Sequence, residues 1–136
     1  MNPQDAYQFA LLVLCIWREA RGEILDAKRG VAWSIRNRVQ RPGWWGASWD
    51  GVILKAKQYS SFNPGDPNAT KIPYLNDPSL PDCFAAAEEV FNSAGSAVDP
   101  TLGATSYFDK SMDANPPPWA AMMMHTTTLG GLRFYK

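Results

Sequence analysis

Apolar residues run almost unbroken from Phe9 to Trp17, within a stretch from Ala6 to about Ala20 that lacks a polar face. A helix that is apolar all round is buried centrally rather than laid on a surface. Pro3, Gln4 and Asp5 supply its start, a proline followed by an acid that suits the helix dipole. Charge returns abruptly at Arg18-Glu19-Ala20-Arg21-Gly22-Glu23, with Gly22 placed to stop the helix. A second helix is predicted from an N-cap at Asp26 to about Val39. There Ala27, Val31, Ile35 and Val39 recur every four residues, and Lys28, Arg29 and Arg36 fall elsewhere on the cylinder. Arg41-Pro42-Gly43 ends it.

Trp44 to Trp49 reads as an aromatic loop, after which Ser48 or Asp50 starts a short helix through Ala56. A segment rich in Pro, Asn and Asp fills residues 57–81, and a loop of that length is more often functional than ornamental. Ser79, Pro81 and Asp82 begin another helix, with an apolar stripe of Phe84, Ala87, Val90, Phe91 and Ala94 ended by Gly95. The tail changes period. Residues 103–108 are strand-like, Pro116-Pro117-Pro118 turns into Trp119 and a methionine-rich segment, and residues 126–135 read as a hairpin across Gly130-Gly131. With no repeat, low-complexity tract or linker, the expectation is one α+β domain over residues 1–136, mainly helical, with a buried central helix and a small β hairpin.

Lys and Arg total 13, as do Asp and Glu. Without a basic excess a nucleic-acid partner is disfavoured, because such binding rests on phosphate neutralisation. A neutral or mixed partner such as a sugar suits this balance. The 6 Trp fit stacking on pyranose faces, although any one of them can simply fill the core. Cys15 and Cys83 allow one pairing at most and sit in apolar helical contexts, so buried free thiols are expected. The run from Phe9 to Trp17 is too short to span a bilayer. Asp5 rather than a basic segment precedes it, so neither an export signal nor a membrane anchor is read.

Of four glutamates, two lie within five residues at the end of the buried helix. A carboxyl there is partly desolvated, which raises its pKa and keeps it protonated near neutrality, as a glycosidic general acid requires. A Glu between two arginines is more often a solvated ion pair, and the residues alone leave both readings of Glu19 open. With His125 the sole histidine and no ligand-spaced Cys or His, no metal site and no cofactor are expected. No nucleophile elbow marks a serine hydrolase. A Cys15–His125 peptidase is the competitor, but Cys15 lies mid-run in apolar sequence, where reactive thiols are rare.

Five ordered segments then carry a resemblance: Arg18 to Glu23; Val31-Ala32 with Ile35 to Val39; Gln58-Tyr59-Ser60 with Phe62; Gly103-Ala104-Thr105 with Tyr107-Phe108; and Pro118-Trp119 with Leu129-Gly130 and Arg133-Phe134-Tyr135. Together they resemble the spore-cortex-lytic enzyme family of cell wall hydrolases, whose catalytic domain is similar to lysozyme-like lytic transglycosylases. The resemblance implies a lysozyme-like domain acting on peptidoglycan glycan strands, expected as a monomer without a cofactor. Glu19 would protonate the bond between N-acetylmuramic acid and N-acetylglucosamine, then draw the proton from the muramic 6-hydroxyl as it closes to a 1,6-anhydro product. Glu23, Tyr107 and Thr105 are implied as assisting residues, Glu23 with a structural bond to Arg21 or a backbone amide as the alternative. Gln58, Tyr59, Ser60 and Trp119 would contact the glycan. The alternatives are a hydrolysing muramidase using Asp109 or Glu23 as second carboxylate, and a non-catalytic peptidoglycan-binding module. Leu132 stands where the family often has histidine, and Asn63 to Pro81 has no counterpart. A bare catalytic unit suits a phage lysin, an assisted bacterial enzyme or a piece of a larger protein.

Overall fold

The computed structural model describes residues 1–55, 58–92 and 97–136. Helix α1 runs Pro3–Ala20, opened by Asn2, whose Oδ1 accepts from the Asp5 amide at 2.8 Å. Its all-round apolar character is used in the second half, where Leu12, Cys15 and Ile16 are fully buried. The first half lies nearer solvent, with Tyr7 exposed. The expected stop at Gly22 is corrected. Arg21 caps the helix in ordinary right-handed geometry, Gly22 has no positive φ, and a bond from the Glu23 amide to Ala20 O at 2.9 Å turns the chain.

Helix α2 spans Leu25–Gln40 and is capped by Ile24, which makes no side-chain cap bond. The expected Asp26 cap is also corrected: the Ala27 and Lys28 amides already bond Ile24 O, so Asp26 falls in the first turn, where its charge still suits the dipole. Ala27, Val31 and Ile35 form the predicted buried stripe. Lys28 is buried too, its Nζ donating to Glu23 O at 2.7 Å. Helix α3, Trp49–Ile53, starts at the Ser48 cap and is shorter than expected, Ala56 lying outside the described residues. Helix α4 spans Leu80–Phe91 and buries Ala86, Ala87 and Val90. Phe84 is exposed, its ring 6.1 Å from that of Phe9 on the outer half of α1. Ala94 and Gly95 lie outside the described residues. A two-pronged pair joins α2 to α4, Arg29 Nε and Nη2 each 2.7 Å from the Glu89 carboxylate.

Three short strands complete the body: β1 Ser106–Asp109, β2 His125–Leu129 and β3 Leu132–Tyr135. The Gly130-Gly131 turn is where the sequence places it, with Gly130 at φ 56°. The hairpin is wider than expected, because β1 pairs antiparallel with β3 to give the order β1-β3-β2. Phe134 of β3 is fully buried and lies so close to Gly30 of α2 that a Cβ there would collide with its ring. That close approach seats the sheet on α2.

The chain before β1 is held by α2. Asn37 Nδ2 donates to Asp99 Oδ2 and to Ala104 O, both at 2.8 Å, and Arg38 Nε donates to Thr105 O at 2.6 Å. The arrangement is the α+β, mainly helical class that the sequence predicts. Among the described residues no helix is long and apolar enough to cross a membrane.

Candidate active site

Where α1 leaves the core, Glu19 projects into a cavity of about 560 Å³. Its last-turn position follows from the sequence: the helix stays apolar from Phe9 through Trp17, and Glu19 is the first acid after that run. Tyr107, on β1, donates its hydroxyl to Glu19 Oε1 at 2.8 Å. Burial pushes the Glu19 carboxyl above its ordinary range; the Tyr107 and Ser61 hydroxyls pull it back, and the nearby charge of Asp66 pushes it up again. Burial also holds the Tyr107 phenol well above its usual value, so it stays a donor.

The other walls come from three places. Arg38 enters from α2, its guanidinium shared among the neutral acceptors Thr105 O, Gln58 Oε1 and Ser106 Oγ. Gln58, Tyr59, Trp119 and Met123 also line the cavity. Trp119 is fixed edge-on against Phe108 and Tyr135. Trp44 and Trp45 close the rim. Trp45 is anchored, its Nε1 donating to Arg38 O and Arg41 O at 3.0 Å each. Trp44 remains 65% exposed, so its face is open to a ligand.

Of the residues singled out from sequence, Glu19, Gln58, Tyr59, Tyr107 and Trp119 border this cavity. Thr105, Ser60 and Glu23 do not. Thr105 is buried and contributes its carbonyl to Arg38, and Ser60 is exposed. Glu23 instead accepts the Gly131 amide at 2.9 Å, tying the α1–α2 corner to the hairpin turn. Asp109 is also away from the cavity; it is spent capping the Ser111 amide, which holds its pKa below the ordinary carboxylate value.

Sequence reasoning missed Arg38, Trp44, Trp45 and Ser61. Arg38 carried a signal as part of the matching Asn37-Arg38-Val39 segment, and the two tryptophans as an aromatic loop. Ser61 carried none, since Ser60 beside it is equally polar. The thiol–imidazole alternative is not assembled. Cys15 is fully buried and burial holds its thiol well above the usual range, whereas His125 is exposed and contacts Thr128 and Tyr135. Both cysteines are free. Among the described residues no group of three or more His, Cys, Asp or Glu is placed to hold a metal ion.

A desolvated carboxyl with a phenol donor, set in an aromatic-walled cleft on an α+β frame, defines the class of site at which a general acid acts on a bound substrate. The family model described as Cell Wall Hydrolase matches residues 22–135, and the chain belongs to that family, enzymes that act on peptidoglycan. The matched span begins three residues after Glu19. Among solved structures, the catalytic domain of the Bacillus cereus SleB protein superposes with a TM-score of 0.74 at 22% identity, covering 100% of this chain and 93% of that one. The catalytic domain of the germination-specific lytic transglycosylase SleB from Bacillus anthracis gives 0.74 at 21%, covering 99% and 97%. A comparison with curated protein sequences finds no significant match.

Two predictions follow from the geometry. Because its folded pKa is raised, Glu19 contributes full stability below the ordinary carboxylate value of about 4.3, and that stability is lost as pH rises through the folded pKa. Glu19→Gln should therefore match the wild-type Tm near pH ~4 and exceed it increasingly towards pH ~8; a constant difference across this range would contradict the burial. Glu23→Ala, which strands the buried Gly131 amide, should cost about 1–3 kcal/mol in denaturant unfolding, and an unshifted midpoint would show the tie to be idle.

Proposed function

We propose that the chain cleaves the β-1,4 bond between N-acetylmuramic acid and N-acetylglucosamine as a lytic transglycosylase, with Glu19 as acid and then base. The observation that carries this reading is that Glu19 is the one carboxyl lining the cavity among the described residues. An enzyme that activates water with a second carboxylate needs such a group across the scissile bond. A muramic acid that closes with its own 6-hydroxyl does not.

In the first step Glu19 gives its proton to the glycosidic oxygen as that C–O bond breaks, and positive charge builds on the anomeric carbon. In the second, the Glu19 carboxylate takes the proton of the 6-hydroxyl, whose oxygen bonds the anomeric carbon to form the 1,6-anhydro ring. Burial favours the protonated acid before the first step, and the Tyr107 hydroxyl supports the carboxylate after it. Gln58 and Trp119 are assigned to glycan contact, Tyr59, only 3% exposed, backs the wall behind them, and Trp44 offers a stacking face. The Bacillus anthracis relative, described as a lytic transglycosylase, points the same way.

One observation favours hydrolysis instead. Asp66 is a second carboxylate whose charge acts on Glu19, although its side chain does not line the cavity. Product chemistry separates the two. Digestion of purified peptidoglycan should release anhydromuropeptides, with the yield lost in Glu19→Gln, as read by mass spectrometry. Reducing-end muropeptides would replace the intramolecular route with water and direct attention to Asp66. A fully active Glu19→Gln would overturn the assignment of Glu19. Trp44→Ala should raise KM about two- to tenfold with little change in kcat, the loss of one ring stack; an unaltered KM would remove Trp44 from the glycan path.

A further inference from the structure

Among the described residues, one buried side-chain polar atom has no hydrogen-bond partner: the hydroxyl oxygen of Ser61. Native folds rarely leave such a group, and each one calls for an explanation in strain, a catalytic role or a bound water or ion. Ser61 is shielded from bulk solvent, with only 2% of its surface exposed.

Its backbone is fixed from Glu19's own helix end. Arg18, the residue before Glu19, donates Nη1 to Ser61 O at 3.2 Å and lays its guanidinium over the Phe62 ring at 4.6 Å. The same side chain reaches Ala69 O and Lys71 O, pinning both ends of the intervening loop. Ser61 itself sits in a single 3-10 turn, Ser60–Phe62. One helix terminus therefore carries the carboxyl and also holds the backbone of Ser61, on a turn that packs against α1.

We propose that Ser61 is a positioning residue for Glu19: when the carboxyl has lost its proton, the unpartnered hydroxyl donates to the oxygen that Tyr107 does not hold. This rests on the proposed acid–base role of Glu19. A carboxylate held at both oxygens by O–H donors is fixed in orientation while it waits to recover a proton from the sugar's 6-hydroxyl. In the ground state, with Glu19 protonated, the hydroxyl is left idle. The unpartnered Ser61 Oγ is free to make that bond.

Other groups act on the same carboxyl or lie within its field: Tyr107 from β1, Arg38 from α2, Cys15 on α1, and Tyr59 and Asp66 from the loop. None of them replaces an O–H donor at the second oxygen, because Tyr107 already occupies the first.

The test is a carbon-13 titration of the Glu19 carboxyl in wild type and Ser61→Ala without substrate, alongside turnover of peptidoglycan and thermal unfolding. Removing the donor should move the Glu19 titration upward and lower kcat roughly ten- to a hundredfold, as expected for a hydrogen bond to a charged group. The Tm should be unchanged or higher, because an unpaired buried hydroxyl has been deleted. An unmoved titration overturns the proposal whatever the activity, and so does an unmoved kcat. A lowered Tm with an unmoved titration would assign Ser61 to the fold alone. Should the alanine variant fail to fold, Ser61→Cys, near-isosteric and a weaker donor, carries the same comparison. An active Glu19→Gln would remove the catalytic reading while leaving the titration result standing, so the two failures are told apart.

Discussion

A carboxyl group deprived of water at the end of a buried helix is the constraint around which this molecule is arranged. Ionised Glu19 is disfavoured by its partial burial, and the fold answers with a phenol on one oxygen rather than with a cation. Had Arg18 or Arg21 paired with it, as their sequence positions invite, the group would be an ordinary surface carboxylate. Both are turned elsewhere. Arg18 is taken up by loop carbonyls, and Arg21 lies over the Trp17 ring. Burial pushes the carboxyl's pKa up, and neither arginine is placed to pull it down.

The same economy holds the walls together. Arg38 and Arg18 are cations whose recorded partners are neutral oxygens, mainly backbone carbonyls, so each acts as a multi-pronged clamp between a helix and an irregular segment. Arg18 fixes the loop that carries Ser61. Arg38, helped by Asn37, fixes the approach to β1 and so sets the height at which Tyr107 meets Glu19. Glu23 completes the frame by tying the hairpin turn to the corner between α1 and α2. The cavity therefore depends on Arg18, Asn37 and Glu23, which do not line it, as well as on Arg38, which does.

The sequence made the regular elements readable because their signals are local. An apolar run of helical length, a four-residue period and a Gly-Gly turn between alternating residues each predict an element from neighbours alone. Its reading of the site reached Glu19, Gln58, Tyr59, Tyr107 and Trp119 through matched segments, and all five border the cavity. What it missed is non-local. Nothing near Lys28 signals that its amine folds back to Glu23 O. The pairing of β1 with β3 links positions more than twenty residues apart. The choice between Ser60 and Ser61 turns on one residue of rotation in a 3-10 turn, which composition cannot resolve. Helix ends failed for a related reason: at Gly22 and Asp26 the expected cap chemistry was present, but backbone bonds to Ala20 O and Ile24 O had already closed the turn.

The central claim is that folding alone, before any glycan binds, keeps Glu19 protonated beyond the range of an ordinary carboxyl. A site-specific carbon-13 titration of Glu19 in the wild-type protein reads this directly. The account predicts a midpoint above the model-peptide value for glutamate, about 4.3. A midpoint at or below that value would mean that the phenol donor outweighs desolvation, leaving Glu19 unable to serve as the acid.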